Sequence, residues 1–326
     1  MTGTSLKPLV AILDPYHPDA TAKLEANNEI DSLVVSKSNR QEIYDRAQAI
    51  MVRSDTAISP VELSKFSQLK YVVKQGVGVD NIDLEAAKQA GIEVYNTPGL
   101  NAEAVAELAL SLALCLARRI TEIDRSIREG KAVVRSQTLG RSLFGKTLGV
   151  IGMGNIGIVL AKKWIGAMEG TVVGYDPHYQ GDSWSEILGA HRFRQVDQLN
   201  NLLQVADVVS LHVPLTDSTK GLIARDEFTQ MKQDAILLNC ARGGIVDEEA
   251  LLEALESNKL VGAGLDAMEI EPPTREAYGS LLKHPNVIIT PHIGASTREI
   301  QSLSGVFVAD LVVDLVMGRR GGNRVA

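Results

Sequence analysis

The sequence predicts an α/β protein made of two doubly wound parallel-sheet domains. Residues 8–95 alternate short apolar runs with helical segments. A second such series opens at Thr147 and continues to Thr290, and a long apolar helix from about Asn101 links the two. Strands separated by helices pair in parallel, because each crossover returns the chain to the same end of the sheet. At 326 residues the chain is long for one core and fits two.

In the first series, residues 9–13, 33–35, 49–52, 71–73 and 92–95 read as strands, and 19–27, 39–48, 60–67 and 83–90 as helices. In the second, the strands are 147–151, 171–175, 205–214, 235–239, 261–265 and 287–290. The last helix opens on a capping box, Ser296 with Glu299, ahead of Ile300, Leu303, Val306, Phe307 and Leu311. Following the final strand of the second sheet, that helix must pack somewhere, and a return to the first domain makes that domain discontinuous. The expected division is 1–100 with 297–326, and 101–296 inserted between them. The tail from Gly318, with Arg319 and Arg320, reads as a solvated end.

Composition excludes several classes. Hydrophobic residues at 45% and charged ones at 22% are ordinary for a globular protein. A net charge of −7 without a basic run argues against a nucleic-acid surface. Two cysteines, Cys115 and Cys240, suit a reducing compartment rather than a disulfide framework. Residues 1–5 lack the regions of a signal peptide, and the apolar stretch 102–117 is too short for a bilayer and carries Glu103 and Glu107. A cytoplasmic location and no membrane partner are expected. No His/Cys/Asp spacing suggests a metal.

The run from Thr147 to Asp176 is a strand, a glycine turn, a helix and an acid-tipped strand. Gly152-Met153-Gly154-Asn155-Ile156-Gly157 follows the apolar run directly, and Ile158, Leu160, Ala161 and Trp164 give the helical period. In a dinucleotide site the first glycine allows the tight turn, the second admits the pyrophosphate, and the third lets helix pack on strand. The helix N-terminus supplies unpaired N–H groups to the phosphates. Asp176 can accept hydrogen bonds from the ribose hydroxyls and would repel a 2′-phosphate, and Pro177, His178 and Tyr179 add no cation. The cofactor expected is NAD rather than NADP.

Ligands of open α/β sheets sit beyond the carboxyl ends of the strands. Arg242, Glu271 and His292 stand there in the second domain. Arg242 can hold a carboxylate through two parallel hydrogen bonds. His292 can give a proton to a carbonyl oxygen as hydride arrives at carbon. Glu271 beside the imidazole would favour its protonated form, at ~1.4 kcal/mol per pKa unit. Singly, each has a bland reading as a surface or capping residue; jointly, beside a dinucleotide turn, they point to chemistry. His212, inside an apolar strand, reads instead as a satisfied structural histidine.

At these residues the chain resembles the D-isomer-specific 2-hydroxyacid dehydrogenases, most closely their D-3-phosphoglycerate dehydrogenase branch. The resemblance spans about residues 45–315. It is carried by 72–83 (VVKQGVGVDNID), 96–108 (NTPGLNAEAVAEL), the glycine turn, 239–252 (NCARGGIVDEEALL), 265–272 (LDAMEIEP) and 286–297 (NVIITPHIGAST). It implies a Rossmann NAD domain inserted in a discontinuous flavodoxin-like substrate domain, with Arg242, Glu271 and His292 as the catalytic triad. Cofactor contacts would fall on Val77, Gly152, Gly154, Asn155, Ile156, Gly157, Asp176, Pro177, Val213, Cys240, Ala241, Asp266, His292, Gly294 and Ala295. The substrate would meet Arg242 and the Gly76-Val77-Gly78 turn, whose N–H groups can bind a carboxylate. A phosphate would meet Arg53, Ser54, Lys74 and Arg135. The family also implies a homodimer formed through the NAD domain.

The substrate implied is 3-phosphoglycerate and its keto acid, in serine biosynthesis. Three departures bear on this. Lys74 stands where arginine is frequent, Ala132 where an aromatic residue is common, and the chain stops at Ala326 where many relatives continue into regulatory domains, so serine feedback is not expected. One alternative is a reductase of glyoxylate, hydroxypyruvate or another 2-keto acid. A remoter one is an NAD-sensing scaffold like the C-terminal-binding-protein corepressors, which share the fold and the triad. Formate dehydrogenase pairs its His with Gln, so Glu271 counts against it.

Overall fold

The structure, a computed structural model, describes residues 6–319 and 321–326; Arg320 and the first five residues lie outside it. The chain divides into two compact units, Met1–Asn101 with Ser296–Ala326, and Ala102–Ala295.

The first unit starts with β1 (Leu9–Ile12), α1 (Pro18–Glu25), β2 (Asp31–Val34), α2 (Arg40–Arg46) and β3 (Ala47–Val52). Then come α3 (Pro60–Leu63), β4 (Tyr71–Lys74), α4 (Leu84–Gln89) and β5 (Glu93–Tyr95). The five strands are parallel, in the flavodoxin-like order β2-β1-β3-β4-β5. Helix starts follow local chemistry: Ser59 and Asp83 cap α3 and α4 by accepting the N–H of Glu62 and Ala86. β1 is buried along its length because helices cover both faces of a parallel sheet.

The second unit opens with α5 (Ala102–Ala117), α6 (Ile120–Arg128) and a 3-10 turn at Arg135–Gln137. Its sheet begins with β6 (Thr147–Ile151), α7 (Asn155–Met168), β7 (Thr171–Tyr175), α8 (Ser183–Leu188) and β8 (Phe193–Gln195). It continues through α9 (Leu199–Leu203), β9 (Val208–Leu211), α10 (Arg225–Gln230), β10 (Ala235–Asn239), α11 (Glu248–Glu256), β11 (Leu260–Leu265), α12 (Arg275–Lys283) and β12 (Val287–Ile289). The order is β12-β11-β10-β9-β6-β7-β8, all parallel, with the reversal between β6 and β9 that marks a dinucleotide-binding sheet. Two apolar clusters fill its two sides. One centres on Trp164, Leu160, Leu116 and Leu148, the other on Leu237, Leu251, Leu203 and Val209. Alanines let α5 approach closely: a Cβ on Gly264 of β11 would already touch Leu112.

The final helix, α13 (Arg298–Val316), packs on α1, β3 and β4 of the first unit. Its N-cap is Thr297, whose Oγ1 accepts the Ile300 N–H, so the box expected from Ser296 and Glu299 is displaced by one residue and does not form. The tail also departs from expectation. Val94 donates to the Ala326 carbonyl, Val325 to Val94 and Asn96 to Asn323, so the chain end pairs along the free edge of β5. Strand β8 gave no sequence signal, since only Phe193 of its three residues is buried.

Candidate active site

The glycine turn lies at the carboxyl end of β6, beside the point where strand order reverses. Gly152 has φ +98°, and a Cβ there would come within 2.5 Å of the His212 carbonyl oxygen. Gly154, the N-cap of α7, has open space where its Cβ would be. Gly157 faces the Gly152 carbonyl at 2.5 Å from its hypothetical Cβ, with Val150 and Trp184 next. One glycine makes the turn, one leaves room for a ligand, and one seats the helix. The residues present therefore fit a dinucleotide pyrophosphate over the α7 N-terminus, where Asn155 and Ile156 start the helix.

Asp176 follows β7 with both oxygens aimed by backbone: Oδ2 accepts Met153 N–H at 2.9 Å and Oδ1 accepts His178 N–H at 2.9 Å. Val213 follows β9, with its Cγ1 against the Gly152 turn. Cys240 and Ala241 follow β10 and are buried, and burial pushes the Cys240 thiol well up, out of reach of thiolate chemistry. His212 donates to or accepts from Ser210 Oγ at 2.9 Å through Nε2, while its buried Nδ1 has no partner. Burial lowers its pKa to about 4, so it stays neutral. The expected satisfied structural histidine thus has one ring nitrogen bonded and the other without a partner among the described residues.

Arg242, Glu271 and His292 come together beyond three adjacent strands, β10, β11 and β12. His292 Nδ1 lies 2.9 Å from Glu271 Oε2 and 3.1 Å from Oε1. Its Nε2 makes no hydrogen bond among the described residues, and the side chain is 41% exposed. Burial pushes the Glu271 carboxyl up, but the bond to His292, its charge, the Met268 N–H and the Arg242 charge bring it below the usual range. Glu271 is thus an anion beside the imidazole. Arg242 is half-buried and donates to the Ala241 carbonyl at 2.7 Å.

The loops carrying these three side chains are held by residues that no motif spacing singles out. Asn239 Nδ2 bonds both the Arg242 and Ala267 carbonyls, at 2.9 and 3.3 Å. A Cβ at Gly243 would overlap the Met268 carbonyl, so the Arg242 and Glu271 loops lie backbone to backbone. Asp266 has a task beyond the expected cofactor contact. Its Oδ1 accepts Thr290 Oγ1 at 2.7 Å and Ile293 N–H at 2.8 Å, and its Oδ2 accepts Gly294 N–H at 2.9 Å. These bonds fix the loop in which His292 adopts φ +56°, a left-handed conformation that persists only where its surroundings impose it.

In the first unit, Arg53 and Ser54 follow β3, and Gly76, Val77 and Gly78 follow β4. Arg53 donates to the Pro15 carbonyl at 2.7 Å, and its N–H to the buried Asp14 carboxylate. Lys74 is buried and donates to Ser54 Oγ at 3.1 Å. Gly76 has φ +118° but gives its N–H to Thr97 Oγ1 at 2.7 Å, and Asn96 bonds the Val77 carbonyl. Among the described residues, the N–H groups of Val77 and Gly78 make no hydrogen bond. Arg135, Pro177 and Ala295 belong to the second unit, and Arg135 is exposed on the 3-10 turn.

The sequence profile described as "D-isomer specific 2-hydroxyacid dehydrogenase, NAD binding domain" matches residues 110–294. A D-3-phosphoglycerate dehydrogenase of Methanocaldococcus jannaschii is 40% identical over 97% of this chain and 59% of its own length. The chain thus spans under two thirds of that relative. A hydroxypyruvate reductase of Thermotoga maritima is also 40% identical, over 93% of this chain and 96% of its own. The crystal structure of D-lactate dehydrogenase from Aquifex aeolicus, complexed with NAD and lactic acid, superposes with a TM-score of 0.81 at 30% identity, covering 97% of this chain and 98% of that one. The chain belongs to the D-isomer specific 2-hydroxyacid dehydrogenases, and its residues 110–294 are that family's NAD-binding domain.

Proposed function

We propose that the protein is an NAD-dependent oxidoreductase that interconverts a D-2-hydroxy acid and its 2-keto acid. The observation that carries this is the Glu271–His292 pair, 2.9 Å apart and within electrostatic reach of Arg242, on the sheet that bears the glycine turn. Bound NAD supplies or accepts the hydride at the substrate C2. Arg242 grips the substrate carboxylate and polarises the neighbouring carbonyl. His292, protonated, donates from Nε2 to the carbonyl oxygen during reduction and takes that proton back during oxidation. Glu271 holds Nδ1 as the donor toward itself and stabilises the imidazolium.

The substrate pair we propose is 3-phosphoglycerate and 3-phosphohydroxypyruvate, which would place the enzyme in serine biosynthesis. Its support is the 40% identity to a D-3-phosphoglycerate dehydrogenase over 97% of this chain. The second reading is a reductase of hydroxypyruvate or glyoxylate. It is favoured by the engagement of Arg53 with the Pro15 carbonyl and of Lys74 with Ser54. Following NADH loss with phosphohydroxypyruvate, hydroxypyruvate, glyoxylate and pyruvate tests both. A kcat/KM highest for the phosphorylated acid supports the first. NADH binding with no turnover of any of them overturns the enzyme reading and leaves the scaffold.

We further propose a homodimer formed through the NAD-binding unit, in the cytoplasm. Helix α6 has no buried residue, and Ile120, Ile127, Val134, Leu139 and Phe144 expose apolar surface nearby in the sequence. Both cysteines are free, as a reducing compartment would keep them, and no helix among the described residues is long and apolar enough to cross a membrane.

A further inference from the structure

We propose that Glu248, acting with Tyr278, is a positioning residue that holds Glu271 on His292. The 268–271 loop follows β11, and three consecutive N–H groups in it find three separate acceptors. Met268 donates to Glu271 Oε1 at 3.1 Å, Glu269 to Glu248 Oε1 at 2.8 Å, and Ile270 to the Tyr278 hydroxyl at 2.6 Å. The Tyr278 hydroxyl also lies within electrostatic reach of the Glu248 carboxylate. One residue from α11 and one from α12 therefore hold consecutive N–H groups of the loop.

Glu248 sits in the Asp247-Glu248-Glu249 run that begins α11. Asp247 does the capping there, through the Glu249 and Ala250 N–H groups, so Glu248 serves the neighbouring loop instead. Burial raises its carboxyl above the usual range, as do the nearby Glu269 and Asp247 charges, and the Glu269 N–H bond and the nearby Tyr278 hydroxyl oppose this. A half-buried acid kept at such a cost is a directed one.

Glu271 itself has few restraints. Its bonds run to the Met268 N–H within its own loop and to His292, and it is 36% exposed, so its aim follows the loop backbone. Freed at 269 and 270, that loop could carry the carboxylate off Nδ1, and displacement by ~1 Å can cost ~10²-fold in rate. The catalytic part of this inference rests on the function proposed above; the restraint on the loop does not.

The test uses the full chain as Glu248→Ala, Glu248→Gln and Tyr278→Phe, with Glu271→Gln as reference. Amide hydrogen exchange of the 266–272 segment should quicken in Glu248→Ala and Tyr278→Phe while the β-strands keep their protection. For keto-acid reduction, kcat should fall at least about tenfold in Glu248→Ala with NADH affinity kept, and the pH–rate profile should move toward that of Glu271→Gln. Glu248→Gln keeps an acceptor for the Glu269 N–H and should recover most of both losses. Unchanged exchange at 266–272, or faster exchange throughout the chain, overturns the proposal. If the parent reduces no keto acid, the function reading fails while hydrogen exchange still decides whether Glu248 fixes the loop.

Discussion

Two backbone N–H groups aim the Asp176 carboxylate, and a 2′-phosphate brought to it would meet that charge. NAD should be preferred over NADP by at least about tenfold, the equivalent of ~1.4 kcal/mol, and Asp176→Ala should narrow the gap. Equal kcat/KM for the two cofactors would sink this. At the reacting end, His292→Ala should lose ~10²–10⁴-fold in turnover with NADH binding kept, because the imidazole moves a proton rather than holding cofactor. Reduction needs that imidazole protonated, so its rate falls as pH rises through the acid's pKa. Glu271→Gln removes the anion hydrogen-bonded to Nδ1, and should therefore move that falling limb as well as lower the rate. A drop in rate with an unmoved limb would leave Glu271 a merely spatial role. Arg135 tests the phosphate. A charge-assisted hydrogen bond to a partly desolvated phosphate is worth ~1.5–3 kcal/mol, so Arg135→Ala should raise KM for phosphohydroxypyruvate about tenfold or more and spare hydroxypyruvate. Equal loss for both would make the general keto-acid reductase the first reading.

At the scale of elements, the glycine turn separates a ligand effect from a folding effect. Gly154→Ala adds a methyl to open space at an N-cap with ordinary negative φ, so thermal stability should hold while NADH affinity falls. Gly157→Ala drives a methyl into the Gly152 carbonyl, so Tm should drop even without cofactor. Matching Tm losses in the two variants would show that Gly154 serves packing too. What the sequence could reveal followed the same physics. Strands such as β6, β9 and β10 announced themselves because both faces are buried and the residues are mostly apolar. β8 did not, being an edge strand with Arg194 and Gln195 exposed. The chain end beyond Gly318 reads as polar and loose, yet among its described residues backbone pairing with β5, which carries no side-chain pattern, joins an Arg324–Glu93 ion pair in holding it. Arg242, Glu271 and His292 could be singled out because each stands past a recognisable strand. Asn239, Asp266 and Glu248 were not legible in the same role, because they act on loop backbones brought near by the fold, and such contacts leave no spacing to read.

The whole molecule raises the question of what covers α6. Each unit closes its own apolar clusters, yet none of the nine residues of α6 is buried. Ile120 is 50% exposed and Ile127 61%, and farther along Leu139 is 73% and Phe144 64% exposed. Single exposed apolar residues need no explanation, but this many within 25 consecutive positions suit an interface. A two-fold interface presents the same patch from both copies, so any substitution acts twice. Burying an isoleucine side chain is worth ~1.5–3 kcal/mol, and Ile127→Glu would both lose that and bring two like charges to the contact. The dissociation constant should rise at least about a hundredfold. Light scattering behind size exclusion should then give the mass of two chains for the parent and one for Ile127→Glu at micromolar concentration. The variant's circular dichroism should match the parent's, since α6 contributes nothing to either core. A parent that runs as a single chain, or a variant that stays paired, removes this face as the interface.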